Sequence, residues 1–541
     1  MPEIDTQQIG WNAVSKTGVV AAGGAAAVAA GITILDAGGN AADAAAATII
    51  ALNVTDHGAC SIGGEVPLLI FDAEKQEVKS LSGQGRAPLS QTAIDWYMEN
   101  GIPNSDMKMA PVPSVVDLCT ITLTEYGTKS FEEIVAPTLA LLDAGTEAWH
   151  PKLAVTLRRM VDEEQRTSGS REEKVQAASD RFYGRNGGSD IADDLEAFYI
   201  EKGGFLRKED LAAHTTLIED PVTVDYRGYT VCKCGPWTQG PYLCQALRLL
   251  EGFDLKGMGH LSADYVHVVT EALKLAMADR DEYYGDPNFV DVPLSVLLSD
   301  AYTEMRRPLI DMDQASQEAR PGDVDNMKPV KAGGVFRPGV GGTTTCAVAD
   351  RWGNVVAATP SANVYYEADM GGLTGVSYGN RLRSLNTTPG HPNCIQPGKR
   401  PRITLTPTLV LKNNAPILAI SVAGGDLQDQ TTMNLLLDFV EFDLQPEAAV
   451  TAPRFATAHH QDSFDPNPNR AQTFIRPGSL SINDSVDTSV RQELARRGHQ
   501  LDAKASPIAT PVMVYVAQDS GINYAAGDPA ARRHAAGLAD E

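Results

Sequence analysis

Apolar and polar positions change their spacing several times along the 541-residue chain. The alanine-rich run Ala25 to Ala37 reads as a helix ended by Gly38-Gly39, since glycine suits the left-handed position just past a helix C-terminus. Asn40 then offers a side-chain cap for a second helix running through Leu52. Val66 to Phe71 and Glu77 to Leu81 predict a hairpin around Asp72-Ala73-Glu74-Lys75-Gln76. Helical spacing dominates the middle of the chain and is clearest at Leu243 to Leu250 and Tyr265 to Ala278. Upstream, Glu163 to Asp194 is polar and charged and reads as a solvated excursion. From Arg320 to Gly342 the chain turns loop-like, with Pro321, Pro329, Gly333-Gly334, Pro338 and Gly339. Beyond it, Thr345–Ala349, Val355–Thr359, Thr408–Lys412 and Ile417–Val422 predict strands, with a helix near Gln430 to Phe442. There is no internal repeat. Strands bunched towards both ends with helices between them predict an α+β fold.

Composition narrows the function classes. With 43% hydrophobic and 21% charged residues the chain has ample material for a core. A net charge of −24 argues against nucleic acid as a partner, because phosphates need a basic face. It equally disfavours an anionic membrane surface. The stretch Val19 to Leu52 is interrupted by Gly31, Asp36, Gly38-Gly39 and Asp43, so it is no membrane span of roughly 18 apolar residues. Met1-Pro2-Glu3-Ile4-Asp5 carries acids where a signal peptide wants bases, and the expectation is a cytoplasmic protein. Seven scattered cysteines make no disulfide framework, and Cys232-Lys233-Cys234 lacks zinc-knuckle spacing. The histidines show no metal-ligand spacing either, and His459-His460 reads as a surface or packing pair. Neither a metal nor a cofactor is expected.

The richest chemistry lies in Gly341-Gly342-Thr343-Thr344-Thr345-Cys346-Ala347-Val348-Ala349-Asp350. A hydroxyl residue opening a strand behind a pliable Gly-Gly joint suits an enzyme that cuts its own chain there. The new N-terminal threonine then carries nucleophile and base, hydroxyl and α-amine, in one residue. An ordinary β-hairpin accounts for the same segment, since threonine-rich strands ending in Gly-Asn turns are common.

Further motifs decide between the two. Gly38-Gly39-Asn40-Ala41-Ala42-Asp43, Ile62-Gly63-Gly64, Asp279-Arg280, Gly285-Asp286-Pro287, Gly398-Lys399-Arg400-Pro401, Thr406-Pro407-Thr408, Gly424-Gly425, Ala452-Pro453-Arg454-Phe455 and Gly527-Asp528-Pro529 occur in an order and spacing that resembles the γ-glutamyltranspeptidases. The resemblance spans nearly the whole chain. It implies an N-terminal-nucleophile hydrolase with a four-layer αββα sandwich, cut between Gly342 and Thr343 into fragments 1–342 and 343–541. These would stay together as one compact domain, a heterodimer and possibly a dimer of these. Counting back from Asp350 against the family pattern puts the nucleophile at Thr343 rather than Thr344 or Thr345. Ser361 then keeps a family hydroxyl, Asn363 matches a family asparagine, and Gly424-Gly425 could present backbone N–H groups to an oxyanion.

The departures concern the acyl pocket. The family arginine for the glutamyl α-carboxylate falls at Gln84, with Arg86 two positions on as a potential substitute. The paired serines become Ile403 and Thr404. Arg381 replaces a Gln or Glu, and Ser384 replaces the aspartate that binds the α-ammonium. Arg381 and Arg383 could also simply face water. The connection Leu385 to Gly398 is short against members that carry a lid. The expectation is a reversed local charge, hence an amidohydrolase for a small carboxylate-bearing substrate, oxamate-like or a dicarboxylic monoamide. The alternatives are a genuine γ-glutamyl hydrolase or transferase acting on glutathione or γ-glutamyl amides, and an uncut, non-catalytic binding protein.

Overall fold

The computed structural model describes residues 9–104, 106–331, 343–362, 364, 371–474 and 476–539. Two seven-stranded antiparallel sheets form its centre. The first runs His534–Gly537, Gly18–Ala22, Cys346–Asp350, Val355–Ala358, Val66–Asp72, Glu77–Gly83, Ile218–Glu219. The second runs Asn12–Ser15, Ile522–Gly527, Thr510–Ala517, Ala415–Ala423, Thr408–Lys412, Tyr229–Lys233, Val222–Tyr226.

Successive residues of a strand point to opposite faces, and here both faces are apolar. Val19, Ala21, Leu69, Phe71, Ala347 and Ala349 of the first sheet meet Leu409, Ala419, Val512 and Val514 of the second. Their neighbours Val20, Ala22, Leu68, Ile70 and Val348 instead pack under Ala25–Asp36 and Ala41–Thr55. On the far side Val410, Leu418, Ile420 and Met513 pack under Pro241–Leu250, Ala263–Tyr283 and Gln428–Phe442. Helix, sheet, sheet, helix is the four-layer sandwich that the family resemblance implies. The double burial explains why Val66–Phe71 reads as a nearly unbroken apolar run.

The alanine-rich segment is two helices in close contact. A Cβ on Gly31 would lie 2.3 Å from Thr48 Oγ1, so only glycine permits that approach. Asp43, an interruption in hydropathy terms, closes a reciprocal cap. Its amide donates to Asn40 Oδ1 at 3.0 Å and its carboxylate accepts from the Asn40 amide at 3.0 Å.

One sequence expectation is corrected here. Glu163 to Asp194 is no solvated excursion, because it forms parts of His150–Arg166, Arg171–Tyr183 and Asp190–Glu201. A narrow stripe, Val175, Ala178, Phe182 and Ile191, reaches the core while the many charges face outward. Of the two readings of His459-His460, surface or packing, packing holds, since both are buried, at 2% and 3% exposure. All seven cysteines are buried free thiols. Among the described residues no helix is long and apolar enough to cross a membrane.

Candidate active site

The three threonines that open Cys346–Asp350 meet different fates. Thr344 is tied down: its amide donates to Pro360 O at 2.9 Å and its hydroxyl to Asp56 Oδ2 at 2.6 Å. The same carboxylate accepts from the Gly24 amide at 2.9 Å. Thr345 Oγ1 is buried without a partner among the described residues. Thr343 donates to Ser361 Oγ across a long 3.4 Å, and the Gln428 amide faces its oxygen at 3.4 Å. Contacts of that length leave the hydroxyl loosely held and able to tighten onto a substrate. Thr343 is itself only 6% exposed.

Gln428 is the first residue of the helix Gln428–Phe442. Orienting its amide so that nitrogen donates to Val422 O at 3.1 Å and Thr404 O at 3.0 Å turns its oxygen towards Thr343. An amide nitrogen has two protons to place, and this orientation places both on carbonyls. The helix is led in by Gly424 at φ +152° and Gly425 at φ +60°, backbone that favours glycine. A Cβ on Gly424 would also lie 2.9 Å from Ala509 Cβ. The glycine pair thus stands immediately before the helix turn that touches Thr343, where partial positive charge accumulates.

On the other side Ser361 and Glu65 exchange backbone hydrogen bonds at 2.9 and 2.8 Å. Ser361 Oγ accepts from Arg381 Nη2 at 2.8 Å, and Arg381 Nε donates to Glu65 Oε1 at 2.7 Å. Arg381 and Glu65 are both fully buried, and the guanidinium lies 5.2 Å from the Phe464 ring centre. So Arg381 does not face water, and it does not reverse the local charge as expected. Glu65 supplies the counter-charge, because a guanidinium taken wholly out of water needs an anion. Burial pushes the Glu65 carboxyl above its usual range and the Arg381 guanidinium opposes that shift. Arg381 Nη1 and Glu65 Oε2 have no partner among the described residues.

The remaining expected pocket residues divide. Gln84 is fully buried, donates to Pro401 O and leaves its Oε1 without a partner among the described residues. Ser384 Oγ and Thr404 Oγ1 are buried in the same state. Arg86 does not take the place of the arginine missing at Gln84. It donates to Thr215 O at 3.4 Å, and its own carbonyl accepts from the Val112 amide at 3.1 Å. A Cβ on Gly85 would sit 2.1 Å from Val112 O, so the chain is pinned on that course. Arg383 is half-buried and donates to Asn104 Oδ1 at 3.0 Å. The short connection after Leu385 folds inward, with Leu385 and Ile395 packed against Tyr97 and Leu382. Gly342 and Asn363 lie outside the described residues.

Sequence reasoning missed Glu65, Gln428 and a second buried ion pair beside the latter. Lys233 Nζ lies 2.7 Å from Asp429 Oδ1, with both side chains fully buried. The lysine also donates to Thr406 O at 3.1 Å and Thr408 Oγ1 at 2.7 Å. Burial pushes the Asp429 carboxyl up to about 6, against the pull of Lys233. The run Gly424-Gly425-Asp426-Leu427-Gln428-Asp429, polar between a strand and a helix, was the signal available for Gln428. Elsewhere His267 Nδ1 and His499 Nε2 stand 2.8 Å apart near Glu271. That carboxylate is already engaged by Lys274 and Arg320, so the trio is poorly placed to take a cation.

Comparison with known proteins adds to this geometry. The family model described as gamma-glutamyltranspeptidase matches residues 27–166 and 142–538. A glutathione hydrolase proenzyme of Bacillus subtilis subsp. natto is 30% identical over 544 residues, covering 94% of this chain and 89% of that protein. The acylase ACY 1 proenzyme of Pseudomonas sp. strain SE83 is 28% identical over 535 residues, covering 90% and 88%. Among solved structures, a cephalosporin acylase from Bacillus halodurans superposes with a TM-score of 0.80 at 25% identity, covering 100% of this chain and 99% of that one.

Proposed function

This chain belongs to the gamma-glutamyltranspeptidase family, and from that premise we propose that it is a self-processing amidohydrolase with Thr343 as nucleophile. It is a hydrolase of the N-terminal-nucleophile kind, and relatives of both the glutathione hydrolase and the acylase name are proenzymes. In maturation Thr343 Oγ attacks the Gly342 carbonyl carbon, the acyl group passes from nitrogen to oxygen, and water hydrolyses the ester. The freed α-amine has a reference pKa of about 7.7–8.0, close to working pH, and serves as base thereafter. In turnover Thr343 takes the acyl group of a substrate amide, the amine leaves, and water releases the acid. The observation that carries this reading is the contrast between neighbours. The Thr344 hydroxyl is consumed by Asp56, whereas that of Thr343 meets only Ser361 and the Gln428 amide among the described residues.

The substrate we propose is a small amide whose acyl part bears a carboxylate and no α-ammonium, oxamate-like or a dicarboxylic monoamide. Two observations support it. Ser384 offers no charge where an ammonium would need one, and Glu65 is already engaged by Arg381. Arg381 Nη1 and the Thr404 hydroxyl keep unspent hydrogen-bond donors. Because Glu65 balances Arg381, recognition works through directed hydrogen bonds rather than a net positive field. A second reading, hydrolysis or transfer of γ-glutamyl groups, draws its support from the 30% identical glutathione hydrolase proenzyme.

One experiment separates them. Purified protein should run as two pieces on a denaturing gel, the smaller starting Thr-Thr-Thr-Cys, and should hydrolyse oxamate or a glutaryl amide faster than a γ-glutamyl anilide. An Arg–carboxylate hydrogen bond is worth about 1.5–3 kcal/mol, so Arg381→Ala should cut kcat/KM roughly ten- to a hundredfold. A fully active uncut chain ends the mechanism. Wild-type turnover of γ-glutamyl anilide faster than that of oxamate or the glutaryl amide favours the second reading.

A further inference from the structure

Glu65 lies outside every motif that marked the site, yet it is one side chain away from Ser361. The segments carrying the two residues are locked by their reciprocal backbone hydrogen bonds at 2.9 and 2.8 Å. Arg381 bridges the same two residues through side chains, with Nε on Glu65 Oε1 at 2.7 Å and Nη2 on Ser361 Oγ at 2.8 Å. A guanidinium on a long, freely rotating stem holds such a place only if something fixes its fork, and the planar group fixes both contacts at once. Ser361 Oγ therefore has one lone pair committed to a cation. Charge-assisted donation of this kind is stronger than a neutral hydrogen bond and polarises the hydroxyl that Thr343 touches.

We infer that Glu65 is a positioning residue for the nucleophile: by pinning and neutralising Arg381 it sets the Ser361 hydroxyl against Thr343. The inference rests on Thr343 being the nucleophile. It also has an electrostatic side, because matured Thr343 carries an α-amine that must be neutral to act as base. The nearby acidic groups carry cationic partners, and Arg402 keeps its charge in every variant. Asp56 is held by Thr344 and lies 3.6 Å from Arg533. Asp429, next to Gln428, has Lys233 at 2.7 Å, and Asp426, after the glycine pair, has Arg280 at 2.6 Å. Arg402, ahead of Thr404, donates to Ser463 at 2.8 Å. Removing the Glu65 charge thus changes the balance at Arg381, whose positive charge would then disfavour the ammonium form of Thr343.

The test uses full-length Glu65→Gln, Glu65→Gln/Arg381→Gln and Thr343→Ala. Each is assayed from acid to alkaline pH on whichever of oxamate, glutaryl 4-nitroanilide and glutathione the wild type cleaves fastest. Glu65→Gln should lower kcat about tenfold with little change in KM, in the range of a lost positioning contact. Its acid limb should move down by about one to two pH units, the size expected of one unbalanced charge roughly 6–12 Å away at an effective dielectric near 20. The double variant buries no charge, so its acid limb should return to the wild-type position while kcat stays low. Wild-type kcat and acid limb in Glu65→Gln would overturn the inference. If that variant does not fold, wild-type kcat in the double variant overturns it equally. Activity in Thr343→Ala would instead remove the nucleophile assignment, so the two failures are distinguishable.

Discussion

Two buried ion pairs, Lys233–Asp429 and Arg381–Glu65, each stand one residue away from a partner of Thr343. Both span 2.7 Å between fully buried side chains. They differ in how far their hydrogen-bonding atoms are used. An ammonium has three protons, and those of Lys233 go to Thr406 O, Thr408 Oγ1 and Asp429, leaving only Asp429 Oδ2 over. Arg381 has spent two sites and keeps Nη1, while Glu65 keeps Oε2. A cation whose protons are all used holds strands and helix in place. One with protons in reserve, beside the proposed nucleophile, can still act on something that arrives later.

The largest expected effect isolates what lies between the pairs. Thr343→Ala should abolish both self-cleavage and turnover, because one hydroxyl performs both acyl shifts. Thr344→Ala loses only its bond to Asp56 and should mature and stay active within severalfold, about 1 kcal/mol for a hydrogen bond. The opposite pattern on gels and in assays would move the nucleophile by one residue. Next, Lys233→Met and Arg381→Met should cost similar stability, about 3–5 kcal/mol each in urea unfolding, since each strands a buried carboxylate. Only Arg381→Met should also slow the folded enzyme. Equal loss of turnover per folded molecule in Lys233→Met would erase the distinction between the pairs.

The smallest effect is on pH dependence. Burial lowers His57 and His214 to about 4 and His391 to about 3, so the unfolded chain takes up these protons first and stability falls as pH drops through 6.5. Asp429 works the other way, because a folded pKa of about 6 lies above the unfolded one and favours the folded state on acidification. Three histidines should outweigh it, lowering Tm by a few degrees from pH 7 to 5. Asp429→Asn should steepen that fall. An unchanged slope would mean that the Lys233 pair does not titrate in this window.

Much of the fold was written locally. The cap that Asn40 and Asp43 form on the helix Ala41–Thr55 spans four residues of sequence, and the hairpin of Val66 to Phe71 with Glu77 to Leu81 needs nothing distant to declare its strands. The threonine at the head of Cys346–Asp350 was legible for the same reason. What escaped was pairing across the chain. Arg381 and Glu65 are 316 positions apart, Lys233 and Asp429 196, His267 and His499 232, and nothing in a local pattern links such positions. Arg381 was therefore visible as a charge without its counter-charge, which reversed the expected sign of the pocket. Arg86 misled differently, since nearness in sequence to Gln84 says nothing about which way a chain pinned at Gly85 must turn.

The order of strands carries one more consequence. Cys346–Asp350 lies between Gly18–Ala22, from ahead of the proposed cut, and Val355–Ala358, from behind it. In the other sheet Asn12–Ser15 pairs with Ile522–Gly527, and Thr408–Lys412 with Tyr229–Lys233. A cut before Thr343 thus opens no seam, and parting the pieces means tearing backbone ladders in both sheets. What it changes is molecularity. The uncut chain refolds by a unimolecular search whose rate ignores dilution. The severed pieces must first collide, and their melting midpoint rises with concentration. Under the proposed maturation, the peptide bond after residue 342 would be a tether used once: it would bring the interleaved strands together while they fold, and be dispensable as soon as they have.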